Sequence, residues 1–149
     1  MTTIAATPTQ IAADKQATHT GGLKFKMTSK IQSFDNKTFY KVPFHVGLAG
    51  NVDTFADIWG YFQYPEHYKK MPKLKGEGII LSEDGRIWTF VQPTIWLRVD
   101  QKHYSIGTGM NFAMGAMANG ATAYEAVKAA AKLDPNTGMG ITRINVKGK

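Results

Sequence analysis

Three residues near the start of the chain have the side chains needed to form a nucleophilic centre. Thr2 follows Met1, Asp14 comes twelve positions later, and Lys30 lies sixteen positions beyond Asp14. A threonine hydroxyl attacks a carbonyl only when a base takes its proton, and a threonine that begins a chain has its own α-amine as that base. This amine titrates near pH ~8, and a nearby lysine would lower its pKa by like-charge repulsion. The spacing therefore predicts an N-terminal threonine nucleophile, exposed when Met1 is removed.

The same residues also have an ordinary structural interpretation. Thr2 and Thr3 could simply begin a β-strand, and Asp14 and Lys30 could form a surface ion pair worth ~0–1 kcal/mol. We favour the catalytic interpretation because the threonine, the carboxylate and the lysine occur together at this spacing.

The composition predicts a single domain over residues 1–149. The chain is 43% hydrophobic, which is enough for a sizeable core. It has no apolar run of membrane-spanning length and no secretory signal pattern in its first thirty residues. It has no cysteine, which excludes disulfides, thiolate metal sites and cysteine nucleophiles. We expect a cytoplasmic protein that does not associate with membranes.

The formal charge of +7 permits an acidic or nucleic-acid partner. Lysines and aromatic residues alternate most densely at residues 67–75, as in grooves that bind single strands. Pro72 and Gly76 mark this stretch as a connection, so a solvated charged loop is the favoured interpretation. A nucleic-acid-binding module is the weakest of the functions considered.

Short strand patterns occur in two blocks, each followed by helical periodicity. Strands are predicted over residues 3–6, 10–13, 39–42, 44–49, 78–82, 86–91, 94–99, 103–106 and 141–146. Helices are predicted over residues 51–67, 110–118 and 122–132, the last beginning with a capping box. Strands grouped with hairpins indicate antiparallel sheets with helices outside them, which is an α+β fold.

Five segments together resemble the proteasome β-subunit family, especially its bacterial HslV-type (ClpQ) branch. They are Thr2-Thr3-Ile4, residues 14–30, the glycine motif VGLAGNVD at residues 46–53, SIGTGMNFA at residues 105–113, and DPNTG at residues 134–138. They occur in the family's order and cover nearly the whole chain. The resemblance implies a four-layer αββα N-terminal-nucleophile hydrolase fold and a threonine-type endopeptidase.

The resemblance also implies a role for each matched residue. Thr2 would be the nucleophile and, through its amine, the general base. Lys30 would lower the pKa of that centre, and Asp14 would hold the lysine. Gly47 would offer its backbone N–H to the oxyanion, because glycine lets a substrate carbonyl approach the backbone closely.

Two further groups are matched by the resemblance. Thr108, which matches a serine in the family, would fix the threonine amine and its water together with Asp134 and Thr137. The pocket for the side chain before the cut bond would be lined by Thr28, His45 and Ala49. This pocket is small and mildly polar, so no strong preference for acidic or basic side chains is expected.

The resemblance implies a homo-oligomeric ring or double ring, a AAA+ unfoldase ATPase as partner, and peptides or unfolded proteins as substrates. No cofactor is expected, and a cation held by carbonyls near residues 134–139 would leave no side-chain signature. The chain departs from the family pattern at residues 65–78, which are too few for the family's second helix. The alternative function is therefore a catalytically inert structural or assembly protein with the same fold.

Other patterns have weaker chemical interpretations. Gly107-Thr108-Gly109 precedes a helix and could cradle a phosphate, but the full dinucleotide-binding motif is absent and the flanking strands are predicted to be antiparallel. The four histidines show no metal-ligand spacing. Met110, Met114 and Met117 have helical spacing and predict core or interface packing.

Overall fold

The structure is a computed structural model that describes residues 2–18 and 22–147. In chain order its strands are β1 (Thr3–Thr7), β2 (Gln10–Asp14), β3 (Gln16–Thr18), β4 (Lys24–Lys26), β5 (Ile31–Phe34), β6 (Phe44–Gly50), β7 (Gly76–Ser82), β8 (Ile87–Phe90), β9 (Leu97–Val99), β10 (Tyr104–Gly107) and β11 (Ile141–Asn145). The helices are α1 (Phe55–Gln63), α2 (Met110–Ala118) and α3 (Ala123–Leu133). Among these residues, no helix has the length and apolar character needed to span a membrane.

The strands form two larger antiparallel sheets and one small one. The first sheet has the order β10-β1-β2-β11, the second has the order β5-β6-β7-β8-β9, and β3 pairs with β4. The hairpin between β1 and β2 turns at Pro8 and Thr9, and Thr7 pairs with Gln10. This tight turn places the start of β1 beside the end of β2, so Thr2 and Asp14 come together.

The main core lies between the two larger sheets. Ile4 and Ile11 of the first sheet share one buried cluster with Ile79, Leu81 and Ile87 of the second. Strand β1 is buried at four successive residues, which shows that both of its faces are covered. Alternate residues of β1 therefore face different partners, and apolar burial on each face holds the strand in register.

Helices pack against both of the larger sheets. Ala5 and Ala12 pack against α2 and α3, where their small side chains let the helices approach closely. On the second sheet, Phe44, Val46 and Leu48 pack against α1 in an aromatic-rich cluster. Helix α3 begins with the predicted capping box, in which the side chains of Thr122 and Glu125 bond reciprocally to the backbone.

The structure confirms most of the predicted elements. The β1–β2 and β7–β8 hairpins, β6, α2 and α3 lie where the sequence places them. The predicted helix over residues 51–67 is shorter, because α1 is flanked by 3₁₀ turns at Val52–Thr54 and Pro65–His67. Residues 68–75, all of which the structure describes, form neither helix nor strand, as expected for a solvated connection.

The predicted strand over residues 39–42 is wrong. These residues follow a turn in which the backbone N–H groups of Phe39 and Tyr40 donate to the Asn36 carbonyl. Phe39 and Tyr40 are apolar contacts of the aromatic cluster, so their pattern reflects packing and not strand pairing. The strand that pairs with β6 on the side away from β7 is β5, which comes before this turn.

Candidate active site

Thr2, Asp14 and Lys30 meet in one buried cluster. The Lys30 ammonium donates hydrogen bonds to Thr2 Oγ1 and to Asp14 Oδ1, the latter at 2.9 Å. Thr2 Oγ1 in turn donates to Asp14 Oδ1 at 3.1 Å. The exposed fractions of the three residues are 3%, 0% and 1%. Lys30 immediately precedes β5, so the lysine comes from the second sheet, whereas Thr2 and Asp14 belong to the β1–β2 hairpin of the first sheet.

Asp14 is the acceptor that organises this cluster. Besides Thr2 and Lys30, three backbone N–H groups donate to its carboxylate, from Thr3 at 3.0 Å, Gln16 at 3.3 Å and Gly138 at 3.0 Å. A fully buried carboxylate is stable only when its lone pairs are satisfied, and these five donors satisfy them. Because three donors are backbone groups, the position of the carboxylate is fixed by the fold.

The environment of Lys30 shifts its acid–base behaviour. Burial lowers the pKa of the Lys30 ammonium, and this effect exceeds the opposing attraction and hydrogen bond of Asp14. The ammonium also donates to the Gln16 carbonyl at 2.5 Å, which holds it in place. A lysine with a lowered pKa that contacts a hydroxyl can exchange a proton with it more readily than an exposed lysine can.

Thr108, Asp134 and Thr137 form a second cluster beside the first. The hydroxyls of Thr108 and Thr137 each donate to Asp134 Oδ2 at 2.7 Å. Burial would raise the pKa of the Asp134 carboxyl, but these two hydrogen bonds and one from the Asn136 N–H outweigh it and keep the pKa below its usual value. Asp134 is therefore an ionised carboxylate held close to the start of the chain.

Two contacts join this second cluster to the N-terminal strand. The Thr108 hydroxyl donates to the Thr2 carbonyl at 3.4 Å, and Thr3 Oγ1 lies 2.7 Å from Thr137 Oγ1. Thr3 is a polar member of the site that the sequence analysis did not assign. The side chain of Thr3 is fully buried, and a second threonine directly after Thr2 was the only sequence signal for it.

The glycines around Thr108 allow the N-terminal strand to approach closely. Gly107 has a φ of +95°, and a Cβ added there would lie 2.0 Å from the Thr2 carbonyl oxygen. A Cβ on Gly109 would lie 2.0 Å from Thr3 Oγ1. The Gly-Thr-Gly pattern is thus accounted for by backbone packing against Thr2 and Thr3, without a phosphate.

A cavity of about 380 Å³ opens beside Thr2. Its lining consists of Thr2, Ala49, Gly50, Gly76, Glu77, Val91, Gly107 and Thr108. Ala49 therefore lies at this cavity, and Glu77 is a lining residue that the sequence analysis missed. Glu77 is the partner of Ala49 across the β6–β7 pair, and its Oε1 accepts a hydrogen bond from the Gly107 N–H at 3.4 Å.

The other predicted site residues lie farther from this cavity or face other neighbours. Gly47 is in β6, where a Cβ would meet Ile4 at 3.0 Å, and its role at the oxyanion stays a prediction. His45 is buried, with Nδ1 2.7 Å from Ser33 Oγ and Nε2 3.3 Å from Glu83 Oε1. His45 and the exposed Thr28 do not line the cavity.

The sequence is silent on a cation held by carbonyls near residues 134–139, because carbonyl ligands have no side-chain signature. In the part of the chain that the structure describes, no group of three or more histidine, aspartate or glutamate side chains is placed to hold a metal ion.

The fold is similar to the folds of three proteins of known structure, BPH, HslV and Anbu. The chain is similar to BPH of Thiobacillus denitrificans, whose structure contains epoxomicin, with a TM-score of 0.71 and 18% identity over 99% of this chain and 98% of that one. It is also similar to eukaryotic HslV of Trypanosoma brucei, with a TM-score of 0.69 and 14% identity over 97% and 98% of the two chains. The helical Anbu assembly of Pseudomonas aeruginosa gives a TM-score of 0.72 and 10% identity over 96% and 80%.

These similarities confirm, at the level of the fold, the predicted resemblance to the proteasome β-subunit and HslV family. No protein-family model and no curated protein sequence matches the chain.

Proposed function

We propose that the protein is a threonine-type endopeptidase that acts through an acyl-enzyme on Thr2 after Met1 has been removed. The observation that carries this proposal is the buried Lys30 ammonium, which contacts both the Thr2 hydroxyl and Asp14. An ordinary surface ion pair would not be buried against a hydroxyl that also adjoins a cavity. The proteasome-like fold supports the same chemistry.

In the proposed mechanism, Thr2 Oγ attacks the carbonyl carbon of a peptide bond, and the α-amine accepts the hydroxyl proton. The Lys30 side chain stabilises the developing negative charge on Oγ, and Asp14 keeps the lysine oriented. The oxyanion would be held by the Gly47 N–H. When the tetrahedral intermediate collapses, the C–N bond breaks and the leaving amine takes the proton. Water then attacks the Thr2 ester, which releases the acid and restores the hydroxyl.

The second cluster would orient the amine in this mechanism. Asp134 is ionised and receives hydrogen bonds from Thr108 and Thr137, so it places a fixed negative charge beside Thr2. A carboxylate so placed favours the protonated amine formed during the attack. Thr108 and Thr137 would hold that carboxylate, and with it the amine and its water.

The proposal requires a mature chain that starts at Thr2. We expect methionine aminopeptidase to remove Met1, because threonine is small enough to be accepted after it. Intact-mass measurement of the protein produced in a bacterial cytosol checks this. A preparation in which every chain retains Met1 would leave Thr2 without a free amine and would favour the inert structural protein.

An electrophile that needs both groups of an N-terminal threonine tests the site directly. BPH of Thiobacillus denitrificans was solved with epoxomicin, an epoxyketone peptide with two electrophilic carbons. We expect wild-type protein to gain the mass of one epoxomicin, and Thr2→Ala to gain none. If wild type lacking Met1 forms no adduct and cleaves no unfolded protein, the inert structural alternative replaces the peptidase.

The proposed peptidase would work as a closed assembly of identical subunits. Two large apolar side chains on the outer helices are exposed, Phe112 at 42% and Leu133 at 63%, and contact with a neighbouring subunit would bury them. The α2–α3 pair, the two sheets and the single helix α1 would then be the four layers of an αββα subunit in a cytoplasmic ring or double ring. A AAA+ unfoldase would supply unfolded chains to it.

We expect light scattering at micromolar protein concentration to give the mass of a closed homo-oligomer. Replacement of Phe112 by glutamate is expected to shift the mass towards that of one subunit, and replacement of the exposed Glu66 by glutamine is not. A wild type that stays monomeric would contradict the compartmentalised form of the proposal.

A further inference from the structure

The cavity beside Thr2 has apolar or uncharged walls apart from one carboxylate. Ala49 and Val91 provide aliphatic surface, and Thr108 provides a hydroxyl. Glu77 is the one charged residue among those that line it. A cavity that combines aliphatic walls with a single carboxylate is complementary to a long aliphatic side chain that ends in a positive charge.

The Glu77 carboxylate is not neutralised within the described part of the chain. The ion pairs formed there involve Asp14, Asp35, Glu83 and Asp84, and none involves Glu77. Its hydrogen-bond donor there is the Gly107 N–H, at the long distance of 3.4 Å. A half-buried carboxylate with one weak donor retains a strong capacity to bind a cation.

Glu77 also lies close to the nucleophile. Gly107 donates to its carboxylate, and the same glycine packs so tightly against Thr2 that a Cβ would meet the Thr2 carbonyl oxygen at 2.0 Å. Gly107 therefore lies between the Glu77 carboxylate and the Thr2 backbone and contacts both. A side chain bound by Glu77 would belong to a residue that flanks the bond attacked by Thr2.

The charges around the site reinforce the effect of Glu77. Asp14 is paired with Lys30, but Asp134 is ionised and is held by hydroxyl and backbone donors. Two carboxylates of the site, Asp134 and Glu77, therefore take part in none of the ion pairs among the described residues, in a chain with a formal charge of +7. Such a local field attracts cationic groups even though the whole molecule is cationic.

We propose that Glu77 makes the enzyme select lysine or arginine beside the cleaved bond, an inference that rests on the proposed peptidase function. The methylene groups of the substrate side chain would contact Ala49 and Val91, and its charged head would meet Glu77. This selection differs from the sequence-based expectation of no strong preference, because that expectation did not include Glu77.

Two peptides that are identical except at the residue beside the scissile bond test the selection. One carries lysine, and the other carries norleucine, which has the same aliphatic stem without the ammonium. We expect wild type to cleave the lysine peptide with about tenfold higher kcat/KM, mainly through KM, as one charged hydrogen bond allows. Glu77→Gln should bring the ratio close to one, because the amide keeps the shape and loses the charge.

Glu66→Gln is the matched control. Glu66 is exposed in the turn Pro65–His67, so the substitution makes the same charge change away from the cavity. It is expected to leave the tenfold ratio intact. Equal cleavage of both peptides by wild type, or an unchanged ratio in Glu77→Gln, would overturn the role of Glu77 and leave the peptidase proposal standing.

Binding separates failure of this inference from failure of the proposed function. Thr2→Ala retains Glu77 but lacks the attacking oxygen, so calorimetry on this variant measures recognition without turnover. We expect Thr2→Ala to bind the lysine peptide about tenfold more tightly than the norleucine peptide. The double variant Thr2→Ala/Glu77→Gln should bind the two peptides equally. If the difference in binding depends on Glu77 but wild type cleaves neither peptide, the result supports the Glu77 site and not the peptidase function. Equal binding of the two peptides to Thr2→Ala would overturn the Glu77 site.

Discussion

Replacement of Lys30 by alanine is expected to lower the rate of peptide cleavage by ~10²–10⁴-fold, the usual loss when acid–base assistance is removed. The lysine contacts the Thr2 hydroxyl, and burial lowers its pKa, so its effect acts on the charge that develops on Oγ. The protein should remain folded. Asp14 keeps its bonds from Thr2, Thr3, Gln16 and Gly138 when the lysine is absent.

The cleavage rates of two Thr2 variants provide the reference values for the rate of Lys30→Ala. Thr2→Ala removes the attacking oxygen and should be at least as damaging as Lys30→Ala. Thr2→Ser should retain measurable activity, because serine supplies the same hydroxyl and α-amine. The rates are measured as kcat/KM on one fluorogenic peptide, and circular dichroism verifies that each variant is folded.

Lys37→Ala is the matched control for the lysine. Lys37 forms an ion pair with Asp35 in which both side chains are more than 60% exposed, and it lies outside both clusters at Thr2. The Lys37→Ala variant should cleave the peptide at the wild-type rate. If Lys30→Ala also cleaves at that rate, the contact between Lys30 and Thr2 has no catalytic role, and the buried ion pair is structural.

The outline of the site could be predicted because its chemistry resides in a few side chains near fixed elements. The Pro8 turn sets the register of β1 with β2, so the spacing of Thr2 and Asp14 predicts that they meet. Lys30 comes from the second sheet, and for it the matched family segments were the guide. Thr108, Asp134 and Thr137 also meet, although 26 or more residues separate Thr108 from the other two. For these three, the order of the matched family segments was the only guide.

Glu77 could not be predicted because nothing local distinguishes it. It stands between two glycines, and its place at the cavity depends on the pairing of β6 with β7, which brings it opposite Ala49. Such a pairing joins residues that are 28 positions apart. Period-two patterning shows that the strand has two faces, but it does not show which neighbour lies across from each residue.

The error at residues 39–42 has a different physical origin. Phe39 stacks on Trp96 with ring planes at 4° and centroids 6.3 Å apart, and Tyr40 packs edge-on to Trp88. Aromatic residues are enriched in strands because they suit half-buried surfaces. A turn that lies on a sheet offers the same surface, so composition alone did not separate the two structures.

Asp14 is expected to be the residue of this site whose loss destabilises the fold most. Asp14→Ala leaves the Lys30 ammonium buried without its carboxylate, and it leaves the backbone N–H groups of Thr3, Gln16 and Gly138 without this acceptor. Breaking a buried ion pair by removing one partner costs about 3–5 kcal/mol. Urea unfolding followed by circular dichroism should show a loss of this size in the free energy of unfolding.

Asp35→Ala controls for the loss of a carboxylate in an ion pair. Its partner Lys37 is exposed, so the cost should lie within ~0–1 kcal/mol. The double variant Asp14→Ala/Lys30→Met should be more stable than Asp14→Ala alone, because it also removes the buried positive charge that the Asp14 carboxylate balances. A loss for Asp14→Ala no larger than that for Asp35→Ala would show that the buried cluster does not support the fold.

Asp14→Asn separates the charge of this residue from its hydrogen bonds. The asparagine carbonyl oxygen can still accept from some of the five donors, but the amide nitrogen cannot, and the negative charge that balances Lys30 is lost. The loss of stability should therefore be smaller than for Asp14→Ala. The rate of peptide cleavage should fall to a value between those of wild type and Lys30→Ala, because the lysine remains beside Thr2 but is poorly held. Equal stability losses for the asparagine and alanine variants would mean that the charge alone holds the cluster, whereas a wild-type rate for Asp14→Asn would mean that Lys30 needs no carboxylate to act on Thr2.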